Sequence, residues 1–194
     1  RQQRLLARFA TSNVLLAFDY DGTLAPVVAT PERARMRART RRLLVQAASR
    51  YPTVVISGRS FQVVSGRLAG IPFRAILGNY GAEPSRSGPP RAVGRWAGQL
   101  TARLGGCPGV SVEDKGFSLT IHYRRAHNKD HALAAIGEAV AEIRGATVVH
   151  GLLAVAVLPR RAPDKGVSLQ RLRRRLRCDR AIFIGDDPTD EAAF

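Results

Sequence analysis

Three groups of polar residues stand where apolar runs stop. Asp19-Tyr20-Asp21-Gly22-Thr23 follows Val14 to Phe18, and Ser57-Gly58-Arg59 follows Thr53 to Ile56. Gly185-Asp186-Asp187-Pro188-Thr189-Asp190-Glu191 follows Ala181 to Ile184. Taken singly, each Asp merely ends a strand or caps the next helix, and Ser57-Gly58 is a turn. Taken together they say more, because parallel strands bring their carboxyl ends to one edge, where open α/β sheets bind ligands. Carboxylates from two strands would then converge and repel, and a hard divalent cation with oxygen ligands removes that repulsion. Mg²⁺ suits the task, since one or two carboxylates, a substrate phosphate and waters complete its octahedron.

The elements that must position these groups are legible as a pattern. Val14 to Phe18 is a continuous apolar run, as a strand buried on both faces requires, and Thr53 to Ile56 reads as a second buried strand. Pro31 opens a predicted helix whose apolar face includes Leu43, Leu44 and Ala47 and which ends near Arg50. Phe61 to Leu68 is predicted as a helix and Phe73 to Leu77 as a third strand. After Pro159 the same pattern resumes: a helix over Lys165 to Arg177, with Val167, Leu169, Leu172 and Leu176 apolar, precedes a fourth buried strand at Ala181 to Ile184. Strands alternating with helices imply a Rossmann-like, three-layer α/β core around an open parallel sheet.

Between these halves the rhythm changes. Pro84 to Pro90 is loop by composition, and Arg95 to Leu104 is predicted as a helix. Val110 to Asp114 and Phe117 to Arg124 are predicted strands joined at Lys115-Gly116. In the second of them Phe117, Leu119, Ile121 and Tyr123 share one face, and Ser118, Thr120 and His122 the other. A helix over Asn128 to Arg144 carries Leu133, Ile136, Val140 and Ile143. A hairpin of Thr147 to Val149 and Leu152 to Leu158 is predicted to turn at His150-Gly151. Helix, two strands, helix, two strands describes an inserted α+β domain with an antiparallel sheet. The expected division is 1–79 and 160–194 for the core and 80–159 for the insert.

Composition narrows the function classes. The 194 residues carry 31 Lys plus Arg against 15 Asp plus Glu, a formal net charge of +16. Only Lys115, Lys129 and Lys165 are lysines, so the excess is arginine, clustered at Arg33 to Arg42 and Arg171 to Arg177 on segments of helical apolar spacing. Neither cluster interleaves a stacking aromatic, so both read as solvated helix faces and specific nucleic-acid binding is not expected. The positive field still favours an anionic small molecule. No apolar run approaches the ~20 residues of a membrane span. The chain opens on Arg1 without a signal-peptide pattern, which reads as a trimmed start. Cys107 and Cys178 read as free thiols of a reducing compartment, so a cytoplasmic location is expected.

The ordered motifs resemble those of haloacid dehalogenase-like phosphatases: Asp19-Tyr20-Asp21-Gly22-Thr23-Leu24, Ser57, Lys165 and Gly185-Asp186-Asp187. Leu77-Gly78-Asn79-Tyr80-Gly81-Ala82-Glu83, the stretch Val112 to Leu119, and His122-Tyr123-Arg124 resemble trehalose-6-phosphate phosphatases in particular. The resemblance runs from about Val14 to the end. It implies Mg²⁺-dependent hydrolysis of a sugar phosphate, trehalose 6-phosphate, through an aspartyl-phosphate. Asp19 is then the nucleophile, and Asp21 the general acid and later base. Ser57 and Lys165 bind phosphate oxygens. Asp19, the backbone carbonyl of Asp21 and Asp186 are metal ligands, with Asp187 and Asp190 second-shell or minor ones. The insert becomes a cap that closes to exclude water, with Glu113 and Lys115 meeting the sugar. His122 reads as an outward strand residue.

Two departures stand out. The family's last cap strand carries Glu-Val-Arg-Pro where this chain has Ala156-Val157-Leu158-Pro159, so two polar groups expected to meet the sugar are apolar. A phosphatase for another sugar or glycerate phosphate is therefore the first alternative, and a non-catalytic regulatory or binding domain the second. The family's fold also continues with a helix and strand past the position of Glu191, whereas this sequence stops at Phe194, which would leave an exposed sheet edge.

Overall fold

The computed structural model describes residues 7, 9, 11–28 and 31–194. It divides into two compact units, Arg1–Pro84 with Pro163–Phe194, and Ser85–Ala162.

The first unit is built on four parallel strands: β1 (Val14–Phe18), β2 (Thr53–Ile56), β3 (Ala75–Leu77) and β8 (Arg180–Ile184). Their spatial order is β3-β2-β1-β8. The chain thus steps outward from β1 to β2 and β3, then returns to the other side of β1. That reversal makes the gap between the carboxyl ends of β1 and β8 the topological switch point. Pleating sends Leu15, Ala17, Val54 and Ile56 to one face, against Leu169 and Leu172 of α5 (Lys165–Arg175). Phe18 and Val55 go to the other, against Leu44 of α1 (Ala38–Arg50) and Val64 and Leu68 of α2 (Phe61–Leu68). Helices on both faces make three layers, as the continuous apolar runs of β1 and β2 require.

Several local expectations change. Pro31–Arg33 is a single 3₁₀ turn, and α1 begins only at Ala38. Residues 34–37 are not helical, so Arg35 and Arg37 lie off any helix face; buried Ala34 and partly buried Met36 pack into the core there instead. Leu43 and Val167, counted on apolar faces, are 57% and 42% exposed. The strand β8 is only partly buried, because it lies at the edge of the sheet among the described residues, and Ile184 is 45% exposed.

The second unit is an antiparallel sheet in the order β4-β5-β7-β6. Its strands are β4 (Ser111–Asp114), β5 (Leu119–His122), β6 (Ala146–Gly151) and β7 (Ala154–Pro159). Helix α3 (Arg91–Leu104) precedes β4 in sequence, and α4 (Lys129–Ala141) lies between β5 and β6. Val93, Trp96, Leu100 and Leu104 of α3 and Ile136 and Val140 of α4 pack with Leu119, Ile121, Val155 and Val157. The alternation puts Glu113, Thr120, His122, Ala156 and Leu158 on the face these helices do not cover. Asn128 caps α4, accepting the His131 N–H at 3.0 Å. The β6–β7 turn falls at Leu152-Leu153, not at His150-Gly151: Gly151 pairs with Ala154, and Leu153 takes φ 56°. A turn made of two leucines has none of the usual turn chemistry, which is why the Gly misled the reading.

Candidate active site

Asp19 is the first residue past β1, and its N–H donates to the Ile184 carbonyl of β8 at 2.9 Å, so it sits at the switch point. The residue is 4% exposed, and its carboxylate meets Lys165 Nζ at 2.9 Å. Burial lifts the Asp19 carboxyl to about 6, against the opposing pull of the Lys165 ammonium. Lys165 opens α5 and is 2% exposed; its Nζ also donates to Asp190 Oδ1 at 2.6 Å. Burial disfavours the ammonium, yet Asp19 and Asp190 outweigh it and push the lysine above its ordinary value. A lysine held between two carboxylates remains a cation, which is what an anionic ligand needs.

Asp190 organises the other half. It is fully buried, and its Oδ2 accepts the N–H groups of Asp186 at 3.0 Å and Asp187 at 2.9 Å. A Cβ on Gly185 would lie 2.3 Å from this carboxylate, so the loop can approach it only with glycine there. Asp187 caps the 3₁₀ segment Pro188–Ala193, accepting the Thr189 N–H at 2.9 Å. Asp186 is exposed and accepts the Thr23 hydroxyl at 2.8 Å, which ties the two acidic loops together. Gly22, at φ 83°, makes room for it: a Cβ there would lie 1.8 Å from Asp186 Oδ2. Carboxylate oxygens of Asp19, Asp186 and Asp190 lie within 4.8 Å of one another. Asp19 and Asp186 offer the hard oxygen donors that Mg²⁺ takes, while both oxygens of Asp190 are already engaged.

The remaining first-unit candidates form a second, linked group. Asp21 is gripped by Arg59, whose Nε donates to Oδ2 and whose guanidinium NH2 donates to Oδ1, both at 2.6 Å. Ser57 is fully buried, and its Oγ accepts the Arg59 N–H at 3.2 Å. Arg59 also lies 5.6 Å from the centre of the buried Tyr20 ring. In the second unit, Glu113 Oε2 meets His122 Nε2 at 2.8 Å and Lys115 Nζ at 3.9 Å.

Sequence reasoning left Arg59 and Thr23 without a role and gave Asp190 only a minor place at the metal. Arg59 was visible only as the third residue of a turn, and Thr23 only as part of a motif. The part played by Asp190, holding Lys165 and the Asp186 loop with one carboxylate, needs the coordinates of α5 as well as its spacing.

A parallel sheet whose switch point gathers carboxylates and a lysine, with a separate antiparallel sheet inserted in the chain, is a haloacid dehalogenase-like fold. A haloacid dehalogenase-like hydrolase from B. subtilis superposes with TM-score 0.63 at 15% identity, over 92% of this chain and 85% of that one. The C-terminal domain of the C. albicans trehalose-6-phosphate phosphatase superposes with TM-score 0.82 at 22% identity, over all of this chain and 77% of that one. The chain belongs to the trehalose-phosphatase family, whose model matches residues 17–89 and 94–194. The trehalose-phosphate phosphatase of Mycobacterium ulcerans is 34% identical over 91% of this chain. The chain spans about half the length of that relative.

Proposed function

We propose that the chain is a Mg²⁺-dependent phosphomonoesterase that releases phosphate from trehalose 6-phosphate. The observation that carries this reading is the buried Asp19–Lys165–Asp190 arrangement with Asp186 beside it, in a chain of this family. Asp19 attacks phosphorus in line, forming an aspartyl-phosphate as the sugar oxygen departs. Asp21 protonates that oxygen and then takes a proton from the attacking water. To act as the acid, Asp21 must leave the Arg59 fork, which holds it as a carboxylate, and take up a proton before the sugar oxygen departs. Lys165 and the Ser57 hydroxyl bind phosphate oxygens, the lysine supplying a fixed positive charge in a dry setting.

Asp19, the Asp21 carbonyl and Asp186 would hold the metal, with Asp187 at its margin; Asp190 has both oxygens engaged and serves to position the others. Bound Mg²⁺ neutralises phosphate charge and templates the attack. The first unit is then the phosphatase core, and the insert the cap whose Glu113 and Lys115 contact the sugar. No helix among the described residues is long and apolar enough to cross a membrane. Cys107 and Cys178 are free thiols, which suits work in the cytoplasm.

A second reading, a phosphatase for another sugar phosphate, is favoured by Ala156 and Leu158, which replace polar groups with buried apolar ones. Phosphate release from a panel of sugar phosphates, with Mg²⁺ and with excess chelator, decides. Release from trehalose 6-phosphate above the other sugars, lost on chelation, is expected. Preference for another sugar supports the second reading, and turnover undiminished by chelator removes the metal from the mechanism.

A further inference from the structure

The Thr120 hydroxyl is the one buried side-chain polar atom among the described residues that has no hydrogen-bond partner. A hydroxyl buried without a partner costs about 1–3 kcal/mol, and native folds rarely keep one without cause. Its surroundings explain why nothing in the sheet satisfies it. Thr120 lies in β5 on the face that α3 and α4 leave uncovered, and the residue is 6% exposed. Directly across in β4 stands Glu113, whose carboxylate is turned to His122 at 2.8 Å. Directly across in β7 stands Ala156, whose methyl offers no polar atom. The hydroxyl is thus flanked by a carboxylate already engaged and by a side chain that cannot respond.

We propose that Thr120 is a specificity-determining residue, its hydroxyl bonding a hydroxyl group of the sugar moiety of the phosphorylated substrate; this rests on the sugar-phosphatase reading above. A threonine hydroxyl both donates and accepts, as a sugar hydroxyl does, so either direction of the bond is available. Glu113 and Lys115 beside it supply the charged rim of the same surface, which makes the row Glu113–Thr120–Ala156 polar at one end and apolar at the other. Substrate would then satisfy a group that the folded chain leaves wanting.

The test compares wild type, Thr120→Val and Thr120→Ser on trehalose 6-phosphate and on p-nitrophenyl phosphate, which has no sugar. Thermal melting is measured for each variant. Thr120→Val is expected to lower kcat/KM for trehalose 6-phosphate about 3- to 10-fold, mainly through KM, the range of one hydrogen bond. The same variant keeps p-nitrophenyl phosphate turnover within about two-fold, and Thr120→Ser keeps both activities. Unchanged kinetics in a more stable Thr120→Val protein would show an orphan hydroxyl with no ligand and overturn the inference. Equal losses on both phosphates, or equal losses in the Ser and Val variants, overturn it too, because the hydroxyl would not be what matters. Should Thr120→Val not fold, Thr120→Ala takes its place under the same criteria. A wild type that hydrolyses p-nitrophenyl phosphate but no sugar phosphate overturns the sugar reading itself, a failure distinct from a variant without effect.

Discussion

The switch point of the parallel sheet and the face of the antiparallel sheet opposite its two helices treat polar groups in opposite ways. At the first, Asp19, Lys165 and Asp190 are nearly or wholly shut off from water, and each has its opposite charge or donor in place. On the second, Glu113 and His122 pair in partial contact with solvent, while the hydroxyl of Thr120 is buried without a partner. A buried charge tolerates no vacancy, because leaving it unpaired costs several kcal/mol. A surface that recognises a neutral group can leave one hydroxyl unsatisfied at smaller cost. On the proposed reading, the reacting groups are held by the fold and selectivity is left to a few side chains.

The sharpest break is Asp19→Asn. A neutral amide is a poor nucleophile, and phosphate release is expected to fall by a factor on the order of 10⁴ or more, with circular dichroism unchanged. Wild-type turnover in that variant would remove the aspartyl-phosphate route. Next in size is a contrast between the two regions. Asp190→Ala strips Lys165 and the Asp186 loop of their shared partner and is expected to cost about 3–5 kcal/mol in urea unfolding. Glu113→Gln, in the half-exposed pair, should cost less than about 1 kcal/mol. Similar losses for both would mean that the burial difference carries no energetic weight.

The smallest effect concerns pH. Burial raises the Asp19 carboxyl to about 6, so between the ordinary carboxylate range and that value the folded chain holds a proton the unfolded chain has released. The stability this provides is present at low pH and is lost as pH rises through about 6. In chelator, the melting temperature of Asp19→Asn minus that of wild type should therefore grow by a few degrees from about pH 5 to about pH 7.5. A difference that shrinks over this interval would contradict the raised value.

The reactive edge was legible because its signals are local. An apolar run followed by Asp, twice, places carboxylates at strand ends without knowledge of anything else. Lys165 was legible only through its place in an ordered set of motifs, since a lysine at a helix start is ordinary by itself. Arg59 was not, because a guanidinium reaching Asp21 across 38 residues of chain leaves no spacing signal. Strand β8 was read as fully buried from composition alone; neighbours decide burial, and β8 has a strand on one side only among those described. Thr120 was placed on the strand face opposite Leu119 and Ile121, but its burial, like the leucine turn at Leu152-Leu153, depends on tertiary context that alternation does not encode.

Asp190 anchors the Asp186 loop and Lys165 with a single side chain, and all three come from one short stretch at the end of the chain. The complementary stretch, from β1 through Thr23, comes from its beginning. Every residue of the second unit is encoded between them. On the proposed function, a gene that exchanged that middle segment would inherit the reacting groups intact, so new substrates could be tried by recombination without rebuilding catalysis.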